Sequence, residues 1–337
     1  MACGEGAPTG LLAGVVVLEM ASAISGPYAG MLLGDIGANV IKVEQPGTRD
    51  IFRSWSGDGA QVGPFFAAYN RGKCSVTIDV KKVEGQQAFL ALARMADVVI
   101  ENFRPGTLDR LDISYAACAT QNARLIYCSI TGMGNRGPRR DLPTYDATEQ
   151  ALSGLWSQFV DLANPESVGP PLCDQLTGLF AAYGIFAALY PRARSGLGQR
   201  VDTNLLSAAL TFETNRIADL LMEGRIADRR SRARRSQSYA FMAGDGEPFT
   251  IHLSTPQKFW RGLTLAVSRP DLEDDPRFRT KAPRISNHDA LSVILAEIFR
   301  SRSRSEWLLL LAQHDVPAAR STQSRKRWRN RRLLLWE

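Results

Sequence analysis

Val15-Val-Val-Leu-Glu19 and Asn39-Val-Ile-Lys-Val-Glu44, joined by the loop Met20-Ala-Ser-Ala-Ile-Ser-Gly-Pro27 and a helical stretch Tyr28–Ile36, decide the fold of this chain. The first run has four apolar residues, three of them β-branched, directly after Gly14, and so reads as a buried strand. Gly37 ends the helix, and the second run is again a strand. Strand, short helix and strand within 30 residues form a βαβ unit, which requires a parallel sheet. Gly26, Gly30 and Gly34 are spaced four apart, unlike the G-x-G-x-x-G of dinucleotide binders, which weighs against a nicotinamide cofactor. Glu44, at the end of the second strand, fits a ribose hydroxyl contact or a solvated strand end equally well.

The same alternation continues outward. Residues 46–72, rich in Gly, Pro and aromatics, read as a surface loop. Ser75–Asp79 is a strand, Val83–Met95 an amphipathic helix and Asp97–Glu101 a buried strand ending in the turn Asn102-Phe-Arg-Pro-Gly106, where ligands collect in open α/β sheets. Thr107–Leu111 begins a helix, Arg124–Ile130 is the next strand, and Pro143–Gly154 enters a helix after a Gly/Arg/Pro loop. The expected architecture is a doubly wound α/β domain of about 140 residues. Val168-Gly-Pro-Pro-Leu-Cys-Asp-Gln-Leu-Thr-Gly178 then leads into an apolar run to Leu189, predicting a long helix buried on most of its circumference. Asp174 at its mouth is favoured in ionised form by the helix dipole and free N–H groups. It suits an N-cap or a carboxylate nucleophile, and both readings stand. Beyond it, Leu205–Met222 is helical, residues 225–235 form an Arg-rich loop, and Ser238–Leu253 is a hairpin turning at Gly244-Asp-Gly246. Helices at Gln257–Val267, Asn287–Arg300 and Ser305–Gln313 complete a smaller domain, and periodicity stops from Arg320 on.

Composition sets the bounds. The 337 residues are 45% hydrophobic and 22% charged, enough for a sizeable core. No uninterrupted run of about 18 apolar residues occurs, so no membrane span is expected, and the N-terminus lacks a secretory signal pattern. Five scattered cysteines without a C-x-x-C pair fit a reducing, cytoplasmic setting, with mitochondrial or peroxisomal import left open. Three histidines, all beyond residue 250, argue against zinc. The net charge of +7 resides mostly in residues 320–337, which carry seven Arg/Lys against one acid; the rest has 34 basic and 33 acidic residues. The six arginines of 225–235 have no interleaved aromatics, and neither run forms a recognisable reading helix, which argues against nucleic acid.

With these motifs in order, the chain resembles the class III coenzyme A transferases, the family of formyl-CoA transferase, L-carnitine CoA-transferase and the succinyl-CoA-dependent dicarboxylate transferases. The resemblance rests on Gly26-Pro27, Gly34–Glu44, Asn70-Arg-Gly-Lys73, Asp97–Gly106, Tyr127-Cys-Ser-Ile-Thr-Gly132, Tyr145-Asp146 before Gln150–Gly154, Asp174 before Thr177-Gly178, and Gly196-Leu-Gly-Gln199. It runs from about residue 10 to 225, and more loosely from 236 to 318. It implies a Rossmann-like CoA-transferase domain over 10–225 that includes the central helix, a small α+β domain over 236–318, a divergent basic tail over 319–337, and the interlocked homodimer of the family. It implies an acyl-CoA:carboxylate CoA-transferase with no permanently bound cofactor, CoA and acyl-CoA being substrates beside a small (di)carboxylic acid.

By the same resemblance Asp174 is the nucleophile, forming an anhydride and then an aspartyl-CoA thioester, and Tyr145 lies near the substrate carboxylate. Ala23, Ile24 and Ser25 approach the thioester. Ile78 lines the CoA channel, and Asn102, Phe103 and Arg110 serve the pantetheine and phosphates. The 2-methylacyl-CoA racemases of this family carry Gly-His-Asp where this chain has Thr144-Tyr145-Asp146, and a phenol near 10 is too weak an acid to replace the imidazole. The alternatives kept are such a racemase and a truncated, catalytically silent member, because the sequence from Arg320 breaks from the family pattern.

Overall fold

The computed structural model describes residues 10–55, 62–255 and 257–321. Two compact units are present, Met1–Ile226 and Ala227–Glu337. In the first, six parallel strands are ordered β3-β2-β1-β4-β5-β6: β1 (Val16–Met20), β2 (Asn39–Glu44), β3 (Cys74–Thr77), β4 (Val98–Glu101), β5 (Ile126–Thr131) and β6 (Arg200–Asn204). The order reverses direction between β1 and β4, the switch point at which doubly wound sheets bind ligands. Helices α1 (Ser25–Asp35), α6 (Leu172–Ser195) and α7 (Leu205–Phe212) cover one face around Val98, Ile100 and Ile126. Helices α3 (Val83–Met95) and α4 (Tyr115–Gln121) cover the other around Leu18, Val99 and Tyr127.

The βαβ unit forms as the sequence predicts, and β2 and α3 have the predicted bounds. Other expectations change. Residues 46–72 contain a helix, α2 (Pro64–Asn70), opened by Pro64 at its first position, where the missing N–H costs nothing. Thr107–Leu111 forms turns, and the helix there starts later, at Tyr115. α5 (Asp146–Ser153) ends at Gly154 in a left-handed conformation. Leu205–Met222 is divided at Glu213 into α7 and α8 (Thr214–Glu223). The sheet is not complete at 140 residues, since β6 pairs with β5 only after α6 has crossed the face.

The central helix is buried on one side only. Cys173, Thr177, Ala181, Ala182, Ile185 and Ala188 point into the core, whereas Leu179, Tyr183, Phe186 and Tyr190 are 50%, 69%, 38% and 70% exposed. By length and composition α6 could cross a bilayer, at a mean hydropathy of 1.4, yet its inner face is the core of this sheet. Where α6 crosses α1, Gly178 has no side chain to hold them apart: a Cβ there would lie 2.6 Å from the Ser25 carbonyl and 3.0 Å from the Tyr28 ring.

The second unit is a three-stranded antiparallel sheet, β7 (Ser238–Met242), β8 (Pro248–His252) and β9 (Ala318–Arg320). It packs with helices α9 (Ser231–Ser236), α10 (Lys258–Ala266), α11 (Asp271–Asp274), α12 (Lys281–Ser286), α13 (His288–Phe299) and α14 (Arg304–Gln313) around an aromatic core that includes Trp260, Phe249 and Phe299. The hairpin was legible, but β9 was not. Ala319 and Arg320, assigned from sequence to a divergent tail, pair with Thr250 and Phe249. Residues 322–337 of that tail lie outside the described residues. Part of the Arg-rich run is helical, with Arg234 paired to Asp228 and Arg230 to Asp289. Cys118, Cys128 and Cys173 are free and buried, whereas Cys74 is disulfide-bonded, against the expectation of unpaired cysteines.

Because the α1–α6 crossing admits no side chain at Gly178, Gly178→Ala is expected to destabilise the protein by about 1–3 kcal/mol through overpacking. A drop in the urea midpoint with an unchanged slope checks this.

Candidate active site

The site grows from a buried ionic cluster under the loop after β1. Lys42 of β2 stands in register beside Glu19 of β1 and is fully buried. Its Nζ donates to Glu19 Oε1 at 2.9 Å and to the Ala21 carbonyl at 2.8 Å, and lies 2.8 Å from Asp50 Oδ2. Lys73 Nζ donates to Glu19 Oε2 at 2.7 Å, to the Pro27 carbonyl at 2.8 Å and to Asn70 Oδ1 at 3.0 Å. Burial alone would depress Lys42, but Glu19 and Asp50 outweigh it and raise its pKa, whereas burial wins at Lys73, lowering it to about 8. Gly30 lets α1 sit on this cluster, since a Cβ there would strike the Glu19 carboxylate.

The loop above is fixed by hydrogen bonds to its backbone. Asn102 Oδ1 accepts the Ser22 N–H at 3.0 Å while its Nδ2 donates to the Ser22 carbonyl at 2.8 Å. Ala23 adopts φ +64°, a left-handed conformation that costs an L-residue about 1–2 kcal/mol, and its N–H points to Asp50 Oδ1 at 3.4 Å. The loop feeds α1, whose first turn carries no acidic residue and whose N-cap makes no side-chain hydrogen bond. Ser25, the first residue of this helix, lines the neighbouring cavity, so the uncapped amide end lies beside it.

That cavity, about 220 Å³, is lined by Ala23, Ser25, Asn102, Phe103, Tyr145 and Asp174, with Arg104 and Arg140 beside them. Asp174 is the third residue of α6 and not its N-cap, which is Pro171. The capping work is done by Asp146, 28 residues earlier, whose Oδ1 accepts the Asp174 N–H at 3.1 Å and whose carboxylate also takes the Cys173 N–H. Gln150 holds Asp146 in place by donating to its Oδ2 and to the Pro170 carbonyl. Asp174 is thus freed from capping. Burial, then the charge of Asp146, push its pKa up to about 7, against a hydrogen bond from the Ser25 hydroxyl. Burial raises Asp146 as well, so the two form a coupled acid pair. Cys173 is fully buried, with its thiol pushed up to about 12 by burial, which leaves it inert as a nucleophile.

A second cavity of about 310 Å³ lies at the carboxyl ends of β1 to β3. Ile78 and Phe103 line it, together with Arg49 and Lys81, two cations that the sequence reading did not single out. Arg110 lines neither cavity and donates to Thr107, which itself lines the second. The Ile24 side chain packs into an aromatic cluster with Phe52 and Phe66, and Ile24 lines neither cavity. Tyr145 lines the Asp174 cavity but is 76% exposed. Glu44 is neither a solvated strand end nor free for a ribose. Although burial pushes it up, hydrogen bonds from Arg53, Ser75 and the Asp50 N–H hold it at about 2. Asp146 was quoted in a motif yet given no role; its position, 28 residues from the acid it caps, could not be read from spacing.

Asp174 titrates near its ordinary 3.8 when unfolded and near 7 when folded, so stability falls as pH rises through that window, with the full penalty present above about 7. Asp174→Asn, which cannot ionise, is expected to raise Tm by about 3 °C more at pH 8 than at pH 4. Thermal unfolding of both proteins across this range checks the sign.

Comparison with known proteins agrees with this geometry. The model of CoA-transferase family III matches residues 12–331, past the point where the sequence reading ended its resemblance. An acetyl-CoA:oxalate CoA-transferase from Acetobacter aceti is 32% identical over 318 residues, covering 92% of this chain and 80% of that protein. The human succinyl-CoA:glutarate CoA-transferase is 33% identical over 315 residues, covering 91% and 70%. A crystal structure of a CAIB/BAIF family protein from Brucella suis superposes with a TM-score of 0.85 at 32% identity, covering 97% of this chain and 88% of that one. A switch-point cavity with an uncommitted, half-ionised carboxylate, and a match over nearly the whole length, lead to one conclusion: this chain belongs to CoA-transferase family III.

Proposed function

We propose that this chain moves CoA from an acyl-CoA to a small carboxylic acid, with Asp174 as the covalent carrier. The observation that carries the reading is Asp174 itself: a carboxylate released from capping, raised to about 7 by burial, and set beside the Ser25 hydroxyl and the amide end of α1. A carboxylate that water solvates poorly is a stronger nucleophile at neutral pH than one at 3.8.

The chemistry balances without water. The Asp174 carboxylate attacks the thioester carbonyl, expelling CoA thiolate and leaving a mixed anhydride. The thiolate returns to the aspartyl carbonyl, releases the donor acid as its carboxylate, and forms an aspartyl-CoA thioester. The acceptor carboxylate then attacks this thioester, and the thiolate that leaves captures the acceptor's acyl carbon, restoring Asp174. Each tetrahedral oxyanion needs hydrogen-bond donors, which the Ser25 hydroxyl and the first amides of α1 supply. Asp146 keeps Asp174 from turning back to cap its own helix, and so acts as a positioning residue. Phe103 and Ile78 offer apolar surface to the pantetheine arm, and Arg49 and Lys81 offer charge to the phosphates. The names of the oxalate and glutarate relatives support a small dicarboxylic acid as one partner.

The test is to incubate the protein with succinyl-CoA, quench with hydroxylamine or borohydride, and map adducts by mass spectrometry. A modification on Asp174, lost in Asp174→Ala, supports the aspartyl intermediate; a well-folded protein that turns over with no adduct at this residue would overturn it.

The reading includes a homodimer. Leu179, Tyr183, Phe186 and Tyr190 recur at helical spacing along the outer side of α6, an apolar stripe that a partner copy would cover. Tyr183→Asp is expected to shift the protein from dimer to monomer in size-exclusion chromatography with light scattering.

A further inference from the structure

A third cavity, of about 280 Å³, lies behind the Asn102–Gly106 turn at the carboxyl ends of β4 and β5. It shares Phe103, Arg104, Pro105 and Arg140 with the cavity of Asp174, so one turn and one arginine border both. No step of the CoA exchange uses its inner end, which is formed by Glu101, Tyr127 and Ser129, exposed by 6%, 2% and 3%.

Three features there point to a ligand. The Tyr127 hydroxyl is buried without a hydrogen-bond partner, although a phenylalanine would fill the same space on β5 without that penalty. The Arg104 guanidinium makes no hydrogen bond or ion pair among the described residues, whereas Arg140 is paired with Asp141 and Arg200 with Asp202. Glu101 receives the Phe103 N–H at 2.8 Å, and burial pushes it up to about 7 against Ser129, that N–H and Arg200, with Asp202 adding to the rise. Near neutrality its carboxyl can therefore carry a proton to donate. Asp109 also lines the cavity, so its charges are mixed, but the Tyr127 hydroxyl, the Arg104 guanidinium and a protonatable Glu101 are all donors that an apolar acyl tail would leave unmatched.

We propose that this cavity holds the far carboxylate of a dicarboxylic acid whose other carboxylate reacts at Asp174, with Arg104 as its cation and the Tyr127 hydroxyl as a donor. The proposal rests on the CoA-transfer reading and names the acid that reading leaves open. A monocarboxylic acid of the same length would leave these groups unsatisfied, so on this proposal selectivity is set here, away from the bond being made.

The experiment measures acceptor KM with saturating succinyl-CoA, using glutarate and butyrate as matched acceptors, for the wild type, Tyr127→Phe and Arg104→Gln. Tyr127→Phe is expected to unfold at the wild-type Tm or above it, having lost only an unpartnered hydroxyl. It is also expected to raise the KM for glutarate about tenfold relative to that for butyrate. Arg104→Gln, on an exposed side chain, should shift the same ratio in the same direction, and carries the test should Tyr127→Phe fold poorly. A purely structural Tyr127 moves Tm and leaves the ratio alone. Adduct mapping on Asp174 separates the two readings. No adduct in the wild type overturns the CoA-transfer reading and this one with it; an intact adduct with an unchanged ratio in both variants overturns this one alone.

Discussion

The structure depends on two lysines buried under the first loop. Lys42 and Lys73 share the Glu19 carboxylate, and Lys42 adds Asp50 and a backbone carbonyl. Removing such charges from water costs several kcal/mol each, a cost offset only where every charge finds a partner in good geometry. Lys42 meets that condition through strand register, and Lys73 through α1 and α2. The cluster joins β1, β2 and the loop that carries Ala23 and Ser25 into one rigid body. A left-handed alanine persists in that loop where Asn102 and Asp50 hold the two peptides that precede its Cα.

From this fixed loop the chemistry follows by packing. Gly178 lets α6 approach α1 closely, and one helical turn earlier the same face of α6 carries Asp174 to Ser25. Asp146 takes the capping duty that a residue in the first turn of α6 would otherwise perform. The result is a carboxylate without structural employment, lifted towards neutrality by burial and by its acidic neighbour. Family membership rests on the match along the chain, and the electrostatic state of Asp174 rests on burial and on Asp146.

The cavities divide the labour by polarity. The groove at β1 to β3 pairs apolar walls with two cations, suited to a long amphiphilic molecule ending in phosphates. The one behind Phe103 is lined by hydroxyls, three arginines and two carboxyls, Glu101 and Asp109, a polar lining in contrast to the first. Phe103 borders all three, which makes the turn after β4 the junction of the site.

Local pattern determined much of this protein. β-branched runs after glycine marked the strands, the Gly/Pro approach marked the mouth of α6, and Asp174 was legible because one acid stood before a long apolar run. The turn at Asn102–Gly106 was read as a ligand site from its place at a strand end, whereas Ala23 and Ser25 were singled out only by the family resemblance. What sequence could not carry were relations between distant residues. That Asp146 caps α6, that Lys42 is buried rather than solvated, that Ile24 turns into an aromatic cluster, and that Ala318–Arg320 closes a sheet are consequences of contacts across tens or hundreds of positions. The outward face of α6 was misjudged for the same reason, because periodicity reports apolar character but not which neighbour covers it. Sequence thus determined which groups are available for chemistry. Only the tertiary structure decided their charge, because a pKa is set by the burial and the neighbours that folding supplies.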